Sequence, residues 1–187
     1  MVPPPRAPVF WLPGENTSVV VLEPAPAPLA ASPERPRLAH AAARTGEDGS
    51  HRLYDLGNSQ TIQLLQLGSQ GTPSALAAVV PLDITGFDRL QSVSRLLAAL
   101  HGRAVPPDTR LTRQQRARAR RMLQASDGAR DGATQQEIAQ VLFRIGRIGR
   151  DEWQTSATRH AVMSLLRDGR SMIAGGYRRL LRYRHRR

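Results

Sequence analysis

Hydrophobic residues in the first eighty positions form short blocks separated by turn-forming residues. A β-branched block at 18–22 predicts a buried strand, and similar blocks predict strands at 52–56, 61–67 and 75–81. The segments between the last three strands are rich in Gly, Asn, Ser and Pro, which favours an antiparallel meander. The Pro-, Ala- and Ser-rich segment 23–37 predicts an extended connector with little regular structure.

After the strands, the spacing of the apolar residues changes from two to three and four. Phe87, Leu90 and Leu97 recur at this spacing, which predicts an amphipathic helix. Gly102 ends the predicted helix, and Pro106-Pro107 prevents it from resuming. This break predicts a domain boundary.

The second half of the chain predicts helices only. Thr112-Arg113-Gln114-Gln115 and Thr134-Gln135-Gln136-Glu137 both fit the capping box, which predicts one helix running to about Ala125 and a shorter one over 134–143. A third helix is predicted to begin near Gln154. Four apolar residues lie on one face of this helix and are expected to pack inward: Val162, Leu165, Leu166 and Ile173.

These patterns together predict an α+β protein with two domains. Residues 1–103 are expected to form a small antiparallel sheet with one helix. Residues 104–187 are expected to form an all-α domain of the helix-turn-helix type with a basic C-terminal tail.

The charge of the chain is concentrated in its second half. Residues 1–101 carry seven Arg and eight acidic residues, a formal charge of −1, whereas residues 102–187 carry 20 Arg and seven acidic residues, a formal charge of +13. All 27 basic residues are Arg. A domain with this charge attracts polyanions and gains affinity by releasing the counterions condensed on phosphates.

A capped helix followed by a second helix is the minimal arrangement that places a helix in the major groove of DNA. The helix predicted over 154–169 is the candidate reading helix, and residues near its N-terminal end are expected to contact bases. The candidate base-contacting residues are Gln154, Thr155, Ser156, Thr158 and Arg159. Met163 and Arg167, on the outward stripe of the same helix, are further candidate DNA contacts. Arginines on the first helix and in the tail are expected to contact phosphates, namely Arg113, Arg116, Arg120, Arg178, Arg179 and Arg182.

The sequence offers little support for catalysis. The chain has no Cys, and its five His residues pair with no second His or carboxylate at the spacing of metal ligands. We therefore expect no enzymatic activity, no metal and no cofactor. No apolar run is long enough to span a bilayer and the first residues lack the apolar core of a signal peptide, so a cytoplasmic protein without a membrane partner is expected.

Three segments of the second half resemble a known bacterial family, the domain of unknown function 2285, also described as the RovC-like DNA-binding domain of type VI secretion transcription factors. They are Gly132–Ala139 leading to Leu142-Phe143, Trp153 with Arg159, and Gly175–Leu181. The resemblance implies a helix-turn-helix type of fold that acts in transcription control. Some relatives of similar fold work through protein contacts instead.

The leading hypothesis is therefore a regulator of transcription that binds double-stranded DNA. The alternative is a protein-interaction module of the same fold that activates or restrains another transcription regulator. Candidate partners are then another regulator or RNA polymerase, and a homo-oligomer is a further candidate through the neutral first half. RNA is a weaker candidate ligand, because the chain lacks the aromatic strand motifs of common RNA-binding modules.

Overall fold

In a computed structural model, the chain is described over residues 8–29, 42–57, 60–68 and 75–182. It divides into two compact units. The sheet unit comprises Met1–Asp108 together with Leu181–Arg187, and the helical unit comprises Thr109–Leu180.

The sheet unit contains five strands and one long helix. The strands lie in the order β2-β3-β4-β1-β5. In chain order their bounds are β1 Val20–Pro24, β2 Ala42–Gly46, β3 Gly49–Gly57, β4 Gln60–Gln66 and β5 Leu76–Val79. A short 3₁₀ turn, Ala27–Leu29, follows β1.

The sheet is mixed, which corrects the prediction of an antiparallel sheet. Strand β1 lies between β4 and β5, parallel to β4 and antiparallel to β5. The predicted meander is therefore right for β3 and β4 and wrong for β5, which pairs with β1. Strand β1 takes this inner position because it is apolar on both faces, with Val20 and Leu22 buried in the core and Val21 half-buried.

Two further corrections concern segments next to β1 and β3. Glu23 and Pro24, predicted to begin the connector, are the last residues of β1, while residues 30–37 of that connector lie outside the described part of the chain. Strand β2 was not predicted. It is an exposed edge strand, so it has no apolar alternation to reveal it.

Helix α1, Thr85–Leu100, confirms the helix predicted from the three- and four-residue spacing. Its orientation is unusual, because the buried side contains the polar residues Asp88, Arg89, Ser92 and Arg95 beside Leu96. The spaced apolar residues, by contrast, lie on the exposed side. Hydrogen bonds to backbone carbonyls explain how this polar side is accommodated, since Arg89 donates to Val19 at 3.1 Å and Arg95 to Pro106 at 3.0 Å.

The helical unit packs its own apolar core. It contains α2 Arg113–Arg130, α3 Gln135–Phe143, α4 Arg150–Thr155 and α5 Ala157–Ile173, followed by a 3₁₀ helix over Gly176–Leu181. The buried core residues come from all four α-helices: Ala125, Ile138, Ala139, Trp153, Val162, Leu165 and Leu166.

Both predicted capping boxes are present. The Thr112 hydroxyl accepts from the Gln115 N–H at 3.1 Å and the Thr134 hydroxyl accepts from the Glu137 N–H at 3.3 Å, with the reciprocal side-chain bonds also formed. Helix α2 runs to Arg130, one turn beyond its predicted end.

Candidate nucleic-acid interface

The first feature of the helical unit is the exposed side of α5. Its buried side is formed by Val162, Leu165 and Leu166, as the apolar spacing predicted. Four residues that share the opposite side are exposed, and we call them the α5 stripe: His160, Met163, Arg167 and Arg170. The stripe combines two guanidinium groups, an imidazole and a polarisable thioether on one helix.

An open cavity of about 470 Å³ lies beside this stripe. Gln135 lines it together with stripe residues and with Ser164 and Leu166 of α5. Gln135 is the first residue of α3, so the cavity brings the N-terminus of α3 next to the α5 stripe. At this N-terminus the Glu137 carboxylate already accepts from the Thr134 N–H, at 2.7 Å, so Gln135 offers its side-chain amide to the cavity.

The N-terminal end of α5 differs from the predicted reading helix. The helix begins at Ala157 and not near Gln154. Gln154 and Thr155 belong instead to α4, a helix of six residues that the sequence did not reveal because its N-cap, Gly149, forms no side-chain bond. Both residues are exposed, but they precede α5 and do not lie on it.

Ser156 and Arg159 contribute to the turn between α4 and α5. The Ser156 hydroxyl accepts from the Arg159 N–H at 3.1 Å and donates to the Trp153 carbonyl at 3.0 Å. The Arg159 guanidinium donates to the Gln154 carbonyl at 3.2 Å. Ser156 is therefore the N-cap of α5, and Arg159 and Thr158 are half-buried beside it.

A second cavity of about 470 Å³ lies on the other side of α5, between this helix and α2. Here Arg118 bonds both the Asp168 carboxylate, at 2.5 Å, and the Ser164 hydroxyl, at 3.3 Å. The hydrogen bond from Arg118 is the main cause that lowers the pKa of Asp168 below its ordinary value, with a further contribution from Arg167. Arg118 thus joins α2 to α5.

The predicted phosphate-contacting arginines lie on α2, on the 3₁₀ helix and directly after it. Arg113, Arg116 and Arg120 are exposed on α2 at a spacing of three and four, which places them on one side of the helix. Arg178 and Arg179 are exposed on the 3₁₀ helix. The last of the set, Arg182, belongs to the sheet unit, where its guanidinium donates to the Gly14 carbonyl at 2.9 Å.

Sequence reasoning missed two contributors to this surface. Gln135 was recognised only as part of a capping box, although its place directly after the cap could have marked it as a group at a helix N-terminus. Arg118 is not among the predicted DNA contacts. Its bond to Asp168 joins residues 50 positions apart, and no local pattern indicates such a pair.

The helical unit as a whole is strongly basic. Residues 109–180 contain 15 Arg and six acidic residues, a formal charge of +9. An exposed helix, a neighbouring helix N-terminus and arginines on several elements make up the kind of surface that contacts the nucleic-acid backbone.

Comparison with protein families agrees with this class of surface. The family model described as "T6SS, transcription factor, DNA-binding domain" matches residues 79–182, more than half of the chain. The chain therefore belongs to this family of DNA-binding domains of type VI secretion transcription factors, as the resemblance of the second half implied. No curated protein and no solved structure matches the chain.

The matched segment begins in β5 and includes α1, so it covers part of the sheet unit as well as the helical unit. The predicted functional division into residues 1–103 and 104–187 stays a prediction. Among the described residues, no helix is long and apolar enough to cross a membrane, and no group of three or more His, Cys, Asp or Glu could hold a metal ion.

Proposed function

We propose that the chain regulates transcription by placing α5 in the major groove of double-stranded DNA, with the α5 stripe facing the bases. The observation that carries this proposal is the stripe itself: four exposed polar or polarisable side chains on a helix whose other side is buried in the core. The major groove is wide enough to admit one α-helix.

The residues of the stripe have different roles in this proposal. Arg167 has a side chain that is 78% exposed, so its guanidinium can reach a guanine edge and bond it in the bidentate manner that specifies this base. Met163 offers an apolar contact for a thymine methyl group. His160 lies on the same side, one turn before Met163 and two turns before Arg167.

Phosphate contacts would hold the helix in register. The side-chain amide of Gln135, which lines the cavity at the start of α3, suits a phosphate on one side of the groove, because an amide N–H donates to phosphate oxygens. On α2, Arg113, Arg116 and Arg120 would contact phosphates further along the duplex, and Arg178 and Arg179 would do so from the 3₁₀ helix.

The turn before α5 would support the reading end. Ser156 and Arg159 are engaged in bonds to the local backbone, so we assign them the role of fixing the start of α5. Gln154, Thr155 and Thr158 would then approach the DNA at the entrance of the groove.

The test is selection of duplexes from a randomised DNA library with the full chain, followed by affinity measurements on the selected sequence. We expect Arg167→Ala to lower the affinity for the selected duplex by about tenfold and to relax the preference at one or two base positions. The matched control is Arg44→Ala, an exposed arginine of β2 outside the family segment, which should change neither property.

Failure to bind any duplex at low ionic strength would overturn the proposal. Binding of the selected duplex that Arg167→Ala leaves unchanged in affinity and preference would overturn the assignment of the reading face. If the chain does not bind DNA but captures another transcription regulator in a pull-down, it acts as the protein-interaction module instead.

A further inference from the structure

The side of α1 that faces away from the sheet carries an uncharged stripe of three large apolar and two small or polar residues with coiled-coil spacing. We define the α1 stripe as the five exposed residues Phe87, Leu90, Ser94, Leu97 and His101. They are separated by three, four, three and four positions, which is the alternation of the a and d positions in a two-helix seam. The leucines are 53% and 49% exposed and the phenylalanine 63%.

The orientation of α1 is fixed by its buried arginines. Arg89 donates to the carbonyls of Val19, at 3.1 Å, and Pro13, at 2.8 Å. Arg95 donates to Pro106 at 3.0 Å and to the Gln60 side chain at 2.5 Å. Turning the helix to bury its leucines would break these bonds and leave buried polar groups unpaired, at a cost of about 1–3 kcal/mol for each group.

The exposed side of α1 is also uncharged. Its charged residues, Asp88, Arg89 and Arg95, are all buried on the side that faces the sheet. The positions that flank the stripe are neutral as well, namely Gly86, Gln91, Val93, Ala98 and Leu100. In a chain of net charge +12, this is a surface on which two copies can meet without bringing like charges together.

We propose that the α1 stripe is a homodimer interface, in which α1 of one chain packs along α1 of a second copy in a two-fold arrangement. A seam of alternating three- and four-residue spacing is complementary to itself, as an isologous contact requires. Ser94 lies at the midpoint between Phe87 and His101, so it faces its own copy whichever way the helices run. Its small side chain permits close approach there.

The apolar surface extends beyond the helix. Ile84, directly before α1, is 60% exposed, and Leu82 is fully exposed. A helix of 16 residues is about 24 Å long, so the seam is smaller than a standard interface of about 800 Å² per partner. We therefore expect a reversible dimer with a Kd on the order of micromolar.

The first test is sedimentation of the full chain over about 1 to 200 μM at a salt concentration that screens its net charge. We expect a monomer that converts to a dimer as the concentration rises. The double variant Leu90→Glu with Leu97→Glu should stay monomeric, because it places charges on both sides of the seam. Leu29→Glu, which alters an equally exposed leucine elsewhere in the sheet unit, should dimerise like the wild type.

The second test asks whether the midpoints of two α1 stripes lie close together in the dimer. Because the chain has no cysteine, Ser94→Cys introduces a single thiol, and a short bismaleimide should link two such chains by forming a thioether with each. Leu29→Cys should give no linked dimer. Circular dichroism and thermal unfolding check that each variant is folded.

A chain that stays monomeric over the whole concentration range would overturn the proposal. So would a dimer that persists in the folded glutamate variant, or a Ser94→Cys chain that is not linked. None of these measurements involves DNA, so their outcome is separate from that of the DNA-binding proposal.

Discussion

Asp168 shows at the scale of a single residue how α5 is held against α2. Its carboxylate accepts from Arg118 of α2 and lies 3.3 Å from the Arg167 Nε, so one acidic group connects α2 to the α5 stripe. Both contacts favour the ionised form, with Arg118 as the larger cause, and together they lower the pKa of Asp168. The folded state is therefore stabilised when Asp168 is charged.

The sign of this effect gives a pH dependence. A carboxyl group whose pKa is lower in the folded state stabilises the fold above its unfolded pKa of about 3.9, and this contribution disappears as the pH falls through the lower folded value. Asp168→Asn should therefore be less stable than the wild type near neutral pH, and the difference should shrink to zero in acid. Urea unfolding over about pH 2.5–7 measures it.

Arg118, which pairs with Asp168, provides the control for this prediction. Arg118→Gln should reproduce the same pH dependence, since it removes the main cause of the lowered pKa. The double variant should lose little more than either single variant. A difference that persists unchanged at the lowest pH would show that Asp168 stabilises the fold without its charge.

Arg95 is a second residue whose effect depends on distant groups. Only 4% of it is exposed, and it bonds the Pro106 carbonyl and the Gln60 side chain. Arg95→Met keeps the aliphatic stem but leaves these acceptors unpaired, so we expect a loss of about 1–3 kcal/mol in the free energy of unfolding. Urea unfolding measures this loss.

An exposed arginine serves as the comparison for Arg95. Arg44→Met in β2 should change the free energy of unfolding by less than about 0.5 kcal/mol. Equal effects of the two substitutions would contradict a specific role for the buried guanidinium.

At the scale of elements, the N-terminus of α5 combines a structural cap with the proposed DNA contact. Ser156 ends the α4 turn and caps α5. Ser156→Ala removes the cap and should destabilise the protein by about 1 kcal/mol. Ser156→Asp retains a capping oxygen and adds a charge that suits the helix dipole, so the stability should be kept while the affinity for DNA falls through repulsion of phosphates.

Thermal unfolding and DNA titration of the two Ser156 variants separate these effects. If Ser156→Asp binds DNA as well as the wild type, the N-terminal end of α5 does not approach the duplex. If Ser156→Ala is fully stable, the observed cap contributes nothing to the fold.

The helices of the second half were predictable because their signals are local. A Thr followed three positions later by Gln or Glu marked the starts of α2 and α3, and the apolar spacing identified the buried side of α5. Helix α4 was not predicted, because it has only about one and a half turns and its N-cap, Gly149, has no capping side chain. Gln154 and Thr155 therefore belong to α4 and do not lie on α5.

The sheet order and the orientation of α1 were not predictable from local patterns. Strand β1 pairs with β4 some forty residues later, and a β-branched block does not indicate which strands flank it. The apolar spacing of α1 predicts a helix correctly, but its buried side depends on carbonyls of Val19 and Pro13 that are about seventy residues away. Only the fold brings these acceptors to Arg89.

For the whole molecule, the uneven charge is the feature that governs how it meets DNA. Residues 109–180 carry a net formal charge of +9, whereas residues 1–101 are close to neutral. Attraction of a duplex and release of its counterions should therefore depend on arginines of the helical unit. The sequence predicted this asymmetry, but it could not tell which arginines are engaged within the protein.

Salt dependence distinguishes arginines that contact phosphates from those that do not. The logarithm of the binding constant falls linearly with the logarithm of the salt concentration, and each phosphate contact adds about 0.9 to the slope. Arg113→Ala and Arg120→Ala should each reduce the slope by about one. Arg182→Ala should leave it unchanged, because its guanidinium already bonds the Gly14 carbonyl, and Arg44→Ala should also leave it unchanged.

Fluorescence anisotropy with a labelled duplex at several salt concentrations gives all the slopes. Equal slopes for the wild type and both α2 variants would remove α2 from the interface. A reduced slope for Arg182→Ala would mean that this guanidinium exchanges the Gly14 carbonyl for a phosphate on binding. That exchange would make Arg182, directly after the 3₁₀ helix, part of the DNA contact, as the basic tail predicted, and binding would then break its bond to the Gly14 carbonyl.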